Sequence, residues 1–179
     1  MLTFLSLVWC CSSSSHPHLG LFCENEMSNP TIVLVPGAWH QPAHYGTLIG
    51  LLESASYKVV TEKLPSVGSP TPTQQLVPND AAFIEKQLLG PLIDQGNDIL
   101  LLMHSYGGCP GADAAKGYSK KERTAAGKKG GIIGLVFMAA FVANEGDSLK
   151  SKLPNQEYDS WVVWNVSAYI YLLHIRFRE

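Results

Sequence analysis

Ser105 stands at an abrupt change of pattern. Asp98 to His104 is an apolar run in which Ile99 to Leu102 are all large, and it passes directly into Ser105, Tyr106, Gly107 and Gly108 before small residues recur at helix-like intervals. A buried strand that turns at once into a helix can hold the side chain at the turn in a strained, exposed pose, and glycines beside it let the two backbones pass closely. A serine in that pose is set up as a nucleophile for acyl transfer. Such chemistry also needs backbone N–H groups aimed where an oxyanion develops. In this arrangement they come from the residue after the nucleophile, here Tyr106, and from the turn after the first core strand, here "PGAWH" from Pro36 to His40. Small residues after a strand also occur in phosphate-binding turns and in plain helix–strand packing, so the surrounding elements must decide.

Those elements begin at Thr31. "TIVLVPG" is a continuous, β-branched apolar run ended by Pro36 and Gly37, as expected of a parallel strand covered on both faces. "PAHYGTLIGLLESAS" then places Tyr45, Leu48, Leu51, Leu52 and Ala55 on one helical face, and Tyr57 to Leu64 returns as a strand. A Pro- and Ser-rich loop leads to Asn79, which has the chemistry of an N-cap for the amphipathic "DAAFIEKQLLGPLIDQ". Asp98 to His104 supplies the third strand, a helix follows Tyr106, and Gly131 to Val142 gives a fourth strand. Strands alternating with helices predict an α/β fold with a mainly parallel sheet, in which ligands sit at the carboxyl ends of the strands. Both Ser105 and the turn after Val35 fall at such ends.

Composition narrows the partners. The 179 residues carry 13 basic and 15 acidic side chains, a balance that gives no electrostatic reason to expect nucleic acid or an anionic membrane surface. The lysine-rich connector "GYSKKERTAAGKKGG" lacks the interleaved aromatics of a nucleic-acid surface and reads as solvated. Cys10, Cys11, Cys23 and Cys109 form no C-x-x-C pair, so neither a zinc site nor a disulfide framework is indicated and no metal or cofactor is expected. Residues 1–26 read as an extension. "MLTFLSLVWCC" has signal-peptide length but no preceding Lys or Arg, and Met27 could itself be a start. The expected location is cytoplasmic, with secretion as the alternative should that segment be a signal. The rest divides into a core over 27–149 and a partial cap region with an unrelated tail over 150–179.

"PGAWHQPAHYGTLIGLLESASYKVV" and "MHSYGG" together resemble the α/β-hydrolase superfamily, closest to the branch of small methylesterases and hydroxynitrile lyases. The resemblance runs from about Thr31 to Leu149. It implies a three-layer α/β sandwich, incomplete at the C-terminus, and a serine hydrolase acting on a small ester or acyl substrate. Carried over, Ser105 is the nucleophile, the N–H groups of Ala38 and Tyr106 form the oxyanion hole, and Gly37, Trp39 and His40 lie at the pocket. Two residues depart from the pattern: Pro36 replaces a histidine, and Met103 replaces the first glycine of the elbow, where a long side chain needs room made by its neighbours.

The family places its acid and its histidine after further strands, yet only 37 residues follow Val142. His174, the only histidine after Ser105, lies in a tail without a family counterpart, and His104 packs away from the substrate as the neighbour of the nucleophile. The chain is therefore expected to be a truncated product whose serine is placed but not activated, with an exposed edge on its fourth strand. Set against this are an active serine esterase, a hydroxynitrile lyase-like enzyme and a binding-only fragment. "GDSL" at Gly146 to Leu149 lacks the late D-x-x-H of the hydrolases that carry it, so Asp147 reads as a helix cap, and "NVS" at Asn165 matters only in a secreted product.

Overall fold

The computed structural model describes residues 29–69, 77–144 and 146–147. The expectations for the N-terminal extension, Asn165 and His174 lie outside these residues.

Four strands form one parallel sheet: β1 (Thr31–Val35), β2 (Val59–Thr61), β3 (Asp98–His104) and β4 (Gly131–Met138), in the order β2-β1-β3-β4. From β1 the chain moves outward to β2 on one side, and from β3 outward to β4 on the other. The chain thus changes direction between two adjacent strands, β1 and β3, and in sheets of this kind ligands bind at the carboxyl ends of the strands at such a point. Register brings the two loops level, because Val35 pairs with Met103. Gly37 and Ser105 therefore emerge side by side.

Alternation along the strands divides the core. Val33, Val35, Ile99, Leu101 and Met103 face the larger cluster, against α2 (Val77–Phe83), α3 (Gly90–Asp94) and α4 (Gly108–Ala114). Ile32, Leu34 and Leu102 face the other way, onto Tyr45 and onto Leu48, Ile49 and Leu52 of α1 (Gly46–Ser54). The helical face expected for α1 is partly corrected here: Leu51 and Ala55 are exposed, and Ile49 takes the inward place. A nine-residue helix covers this side of the sheet with a narrow stripe.

Other boundaries differ for local reasons. The helix expected after Asn79 begins at Val77, so Asn79 lies within its first turn and does not cap it. Between α2 and α3 the chain winds as a π-helix over Ile84–Leu89, immediately before Gly90 and Pro91. Proline has no N–H and its ring crowds the carbonyl four residues back, and widening the preceding turn accommodates both. β2 is shorter than expected, and β4 stops at Met138 because Ala139 turns with a positive φ of 45°. Among the described residues β4 is an edge strand, pairing with β3 and leaving Ile133, Leu135 and Val136 exposed.

The basic connector is more than a solvated link. It contains α5 (Lys120–Ala125), capped by the Ser119 hydroxyl, which accepts from Glu122 N–H. Arg123 is buried and donates to the carbonyls of Lys129 and Gly130 and to Asp94. Lys120 pairs with Asp98 at 2.6 Å. These bonds tie the end of α3 and the starts of β3 and β4 together at the end of the sheet opposite Ser105.

Candidate functional site

Ser105 is the first residue after β3 and opens a short 3-10 turn, Ser105–Gly107, that runs into α4. Its φ is 51°, in the left-handed region that a residue with a Cβ enters only at a cost of roughly 1–2 kcal/mol. Three contacts hold it there. The Ser105 carbonyl accepts from Phe141 N–H at 3.0 Å. A Cβ on Gly107 would stand 2.6 Å from the carbonyl oxygen of Pro36 and 2.7 Å from that of Val35, so the helix start passes against the end of β1 with no space for a side chain. On its other side, a Cβ on Gly108 would fall on the Phe141 carbonyl.

Met103 fits because α4 yields. Its side chain is fully buried, and a Cβ on Gly111 would meet the Met103 sulfur at 2.7 Å. The room that a glycine would leave in the strand is supplied one helical turn into α4.

The turn after β1 closes on Ser105 from the opposite direction. Gly37 approaches so tightly that a Cβ there would stand 3.0 Å from Ser105 Cβ and 2.8 Å from His104 Nδ1. The next residues make a tight reversal, with His40 N–H donating to the Gly37 carbonyl at 3.1 Å and Trp39 at φ 61°. Trp39 is 64% exposed, so its indole does not pack in the core. His40 Nδ1 lies 2.7 Å from the Ala38 carbonyl, which can only accept, so Nδ1 carries the proton.

Three histidines and a tyrosine gather beside the serine. The His40 ring meets those of His104 and His44 edge-on, with centroids 5.1 and 5.4 Å away. Tyr45 is buried, and its hydroxyl lies 3.0 Å from Gly37 N and 2.8 Å from His104 Nδ1. Burial, together with the neighbouring His40, pushes the His104 pKa below the ordinary imidazole value, and burial raises that of the Tyr45 phenol. His44 Nδ1 accepts from Gln41 N–H. Among the described residues, no histidine is paired with a carboxylate.

On the far side of the turn Tyr106 drops into the larger core cluster, and its hydroxyl donates to Asp80 Oδ2 at 2.8 Å. Asp80 is fully buried and also accepts from Ser66 Oγ at 2.6 Å and Ser66 N–H at 3.0 Å. Desolvation nevertheless outweighs these donors and raises the carboxyl above its ordinary pKa, while burial and the carboxylate raise the Tyr106 phenol. Asp147 accepts from Asn144 N–H in a turn beyond β4. No group of metal-ligating side chains occurs among the described residues, and no described helix is long and apolar enough to cross a membrane.

The structure thus brings Ser105, Tyr106, Gly37, Ala38, Trp39 and His40 to one edge of the sheet. Tyr45 and Asp80 escaped the sequence reading as site residues. Tyr45 read as one more apolar position of a helix, and Asp80 only as the start of an amphipathic one; their partners are 59 and 26 residues away, His104 and Tyr106, and no local pattern announces them.

The chain is similar to known proteins in sequence and in fold. The family model described as "Alpha/beta hydrolase family" matches residues 32–177. The chain is 33% identical over 127 residues to the alpha/beta hydrolase nvfD of Aspergillus novofumigatus, covering 71% of this chain and 49% of that one. It is 30% identical over 126 residues to the carbendazim hydrolyzing esterase of a Nocardioides species, covering 68% and 46%. Among solved structures, tomato methylketone synthase I superposes with a TM-score of 0.51 at 18% identity, over 68% of this chain and 43% of that one. A pyrethroid hydrolase from Sphingobium faniae gives 0.50 at 19% identity, over 71% and 47%. The chain spans about half the length of the curated relatives it matches.

Proposed function

The chain belongs to the alpha/beta hydrolase family, and from that premise we propose that it carries the nucleophile and oxyanion half of a serine hydrolase for small esters or related acyl compounds. Ser105 is the nucleophile, and the backbone N–H groups of Ala38 and Tyr106 are the donors for the developing oxyanion. Gly37, Trp39 and His40 border the acyl pocket. One observation carries the reading: Ser105 is held at a positive φ between β3 and α4, with the Gly37 turn packed against its Cβ. Backbone strain of that kind persists only where the surroundings over-determine it, and such places cluster at reacting sites. One relative supports the substrate class, being named as an esterase, and another, named as a hydrolase, supports only the reaction class.

On this reading Ser105 has no activating base among the described residues. A serine hydroxyl needs a base, and the imidazolium so formed is stabilised by an anionic partner. His40 is oriented by a carbonyl and His104 by a phenol. With the groups of the described residues alone, reaction at Ser105 is expected at a level that oxyanion donors can support, on the order of 10³-fold over water.

A fluorophosphonate tests this, because it reports serine nucleophilicity with little regard for acyl specificity. Intact-mass and peptide analysis should find a single phosphonyl group on Ser105 accumulating over hours, and none in Ser105→Ala. Modification that proceeds equally in Ser105→Ala refutes the assignment. Completion within seconds refutes the absence of a working base.

A further inference from the structure

Tyr45 touches both turns of the site. Its oxygen lies 3.0 Å from Gly37 N and 2.8 Å from His104 Nδ1. The backbone N–H can only donate, so the phenol oxygen accepts from Gly37. The phenol has one proton of its own, and the side chain is only 7% exposed. Were His104 to donate from Nδ1, that phenolic proton would have no acceptor among these contacts, and a buried donor left without a partner is costly. If the phenol donates to a bare Nδ1, every group is satisfied. The chain of donation then runs from Gly37 N–H to the phenol and on to His104, which must be neutral with its proton on Nε2.

Gly37 directly precedes Ala38, and His104 directly precedes Ser105 and Tyr106. One end of this chain is thus one residue from Ala38, and the other is one residue from Ser105 and two from Tyr106. Packing alone does not require the hydroxyl. A phenylalanine would fill the same space against Ile32, Leu34 and Leu102. We infer that Tyr45 is a positioning residue: its hydroxyl, accepting from Gly37 and donating to His104, fixes the spacing between the turn that carries Ala38 N–H and the turn that carries Ser105 and Tyr106 N–H. The inference rests on the reading of Ser105 and the two amides given above. His40 completes the cluster, with its ring centroid 5.8 Å from that of Tyr45 and 5.1 Å from that of His104.

The test uses the full 179-residue chain with ¹⁵N-labelled histidine, wild type and Tyr45→Phe. Long-range ¹H–¹⁵N spectra read the His104 tautomer, and fluorophosphonate labelling of Ser105 is timed on the same samples. Wild type should show His104 with a bare Nδ1 and a protonated Nε2. In Tyr45→Phe the ring should become a mixture of tautomers, and Ser105 labelling should slow about tenfold, a smaller loss than deletion of an oxyanion donor brings. A His104 tautomer unchanged by the substitution overturns the inference. So does a changed tautomer with a labelling rate within twofold of wild type. If wild-type Ser105 is not labelled at all, the nucleophile reading fails separately, and the His104 spectra still decide whether Tyr45 holds the two turns. Should Tyr45→Phe not fold, the wild-type spectrum suffices: a proton on Nδ1 overturns the inference and a bare Nδ1 supports it.

Discussion

Replacing Asp80 with alanine removes the acceptor for three donors at once: Ser66 Oγ at 2.6 Å, Tyr106 Oη at 2.8 Å and Ser66 N–H at 3.0 Å. Ser66 is partly exposed, so its hydroxyl can turn to water, but its N–H and the buried Tyr106 hydroxyl lose their partner. Two stranded donors at about 1–3 kcal/mol each give roughly 2–6 kcal/mol. The substitution also removes a carboxylate whose raised pKa marks it as poorly solvated, which offsets part of that loss. A net destabilisation of about 3 kcal/mol is expected from urea unfolding at neutral pH followed by circular dichroism.

Asp80→Asn provides the sharper arm, because it keeps the shape and cannot ionise. A carboxyl whose folded pKa is raised contributes stability that is fully present below its unfolded pKa and is lost as pH rises through the folded value. The wild type therefore carries the charge penalty at neutral pH and sheds it on acidification, whereas Asp80→Asn carries none. The deficit of Asp80→Asn relative to wild type should widen as pH is lowered from 7 toward 4. A cost below about 1 kcal/mol for Asp80→Ala, or a deficit for Asp80→Asn that narrows on acidification, would refute the argument that Asp80 is a strained anchor.

Ser105→Gly should raise stability by about 1 kcal/mol in the same assay, since glycine adopts the positive φ freely, while Ser105→Ala should gain nothing; equal effects would mean that the turn stores no strain. Gly107→Ala drives a Cβ into the carbonyls of Val35 and Pro36 and should cost more than about 3 kcal/mol or abolish folding, whereas Gly111→Ala crowds the flexible Met103 side chain, with Val35 at ordinary contact distance, and should cost about 1–2 kcal/mol, falling further in combination with Met103→Ala; a reversed ranking in thermal melts would refute the packing account. His104 has a lowered folded pKa, so its contribution is fully present above the unfolded value near 6.5 and is lost as pH falls from there through the folded value. His104→Asn should remove that slope from the pH dependence of the urea midpoint, and an unchanged slope would assign it to another group.

What could be read in advance followed from short-range pattern. Thr31 to Val35 and Asp98 to His104 announce buried strands by composition alone, and the S-x-G-G after the second fixes where the chain must turn. The start of α2 was misplaced because Asn79 has the chemistry of a cap, while the burial of Asp80 against a hydroxyl 26 residues further along the chain belongs to tertiary structure. Arg123 was hidden in a run of lysines for the same reason: a guanidinium bound to the carbonyls of Lys129 and Gly130 is invisible in a list of charges. The crowding foreseen at Met103 was real, but its remedy, Gly111, lies eight residues on and looked like ordinary helix packing.

The strain at Ser105 makes sense only when its supports are counted together. A left-handed serine would relax if any one neighbouring segment could follow it, and here each is pinned to something different. Its carbonyl is bound to Phe141 N–H beyond β4. The residue after it, Tyr106, is anchored through Asp80 to α2 and to the loop beyond β2. The residue before it, His104, is held through Tyr45 to the turn beyond β1. Every strand of the described sheet thus contributes a tether to this one turn, from elements spread across more than 100 residues of chain. Loosening one tether shifts the cost onto the others and leaves the fold standing. Tyr45→Phe and Asp80→Asn should therefore be more than additive in slowing Ser105 labelling, even where their effects on unfolding simply add, because the two anchors lie on opposite sides of the serine and share only that residue's geometry. Simple additivity of the two labelling rates would show that the anchors act independently of the turn between them.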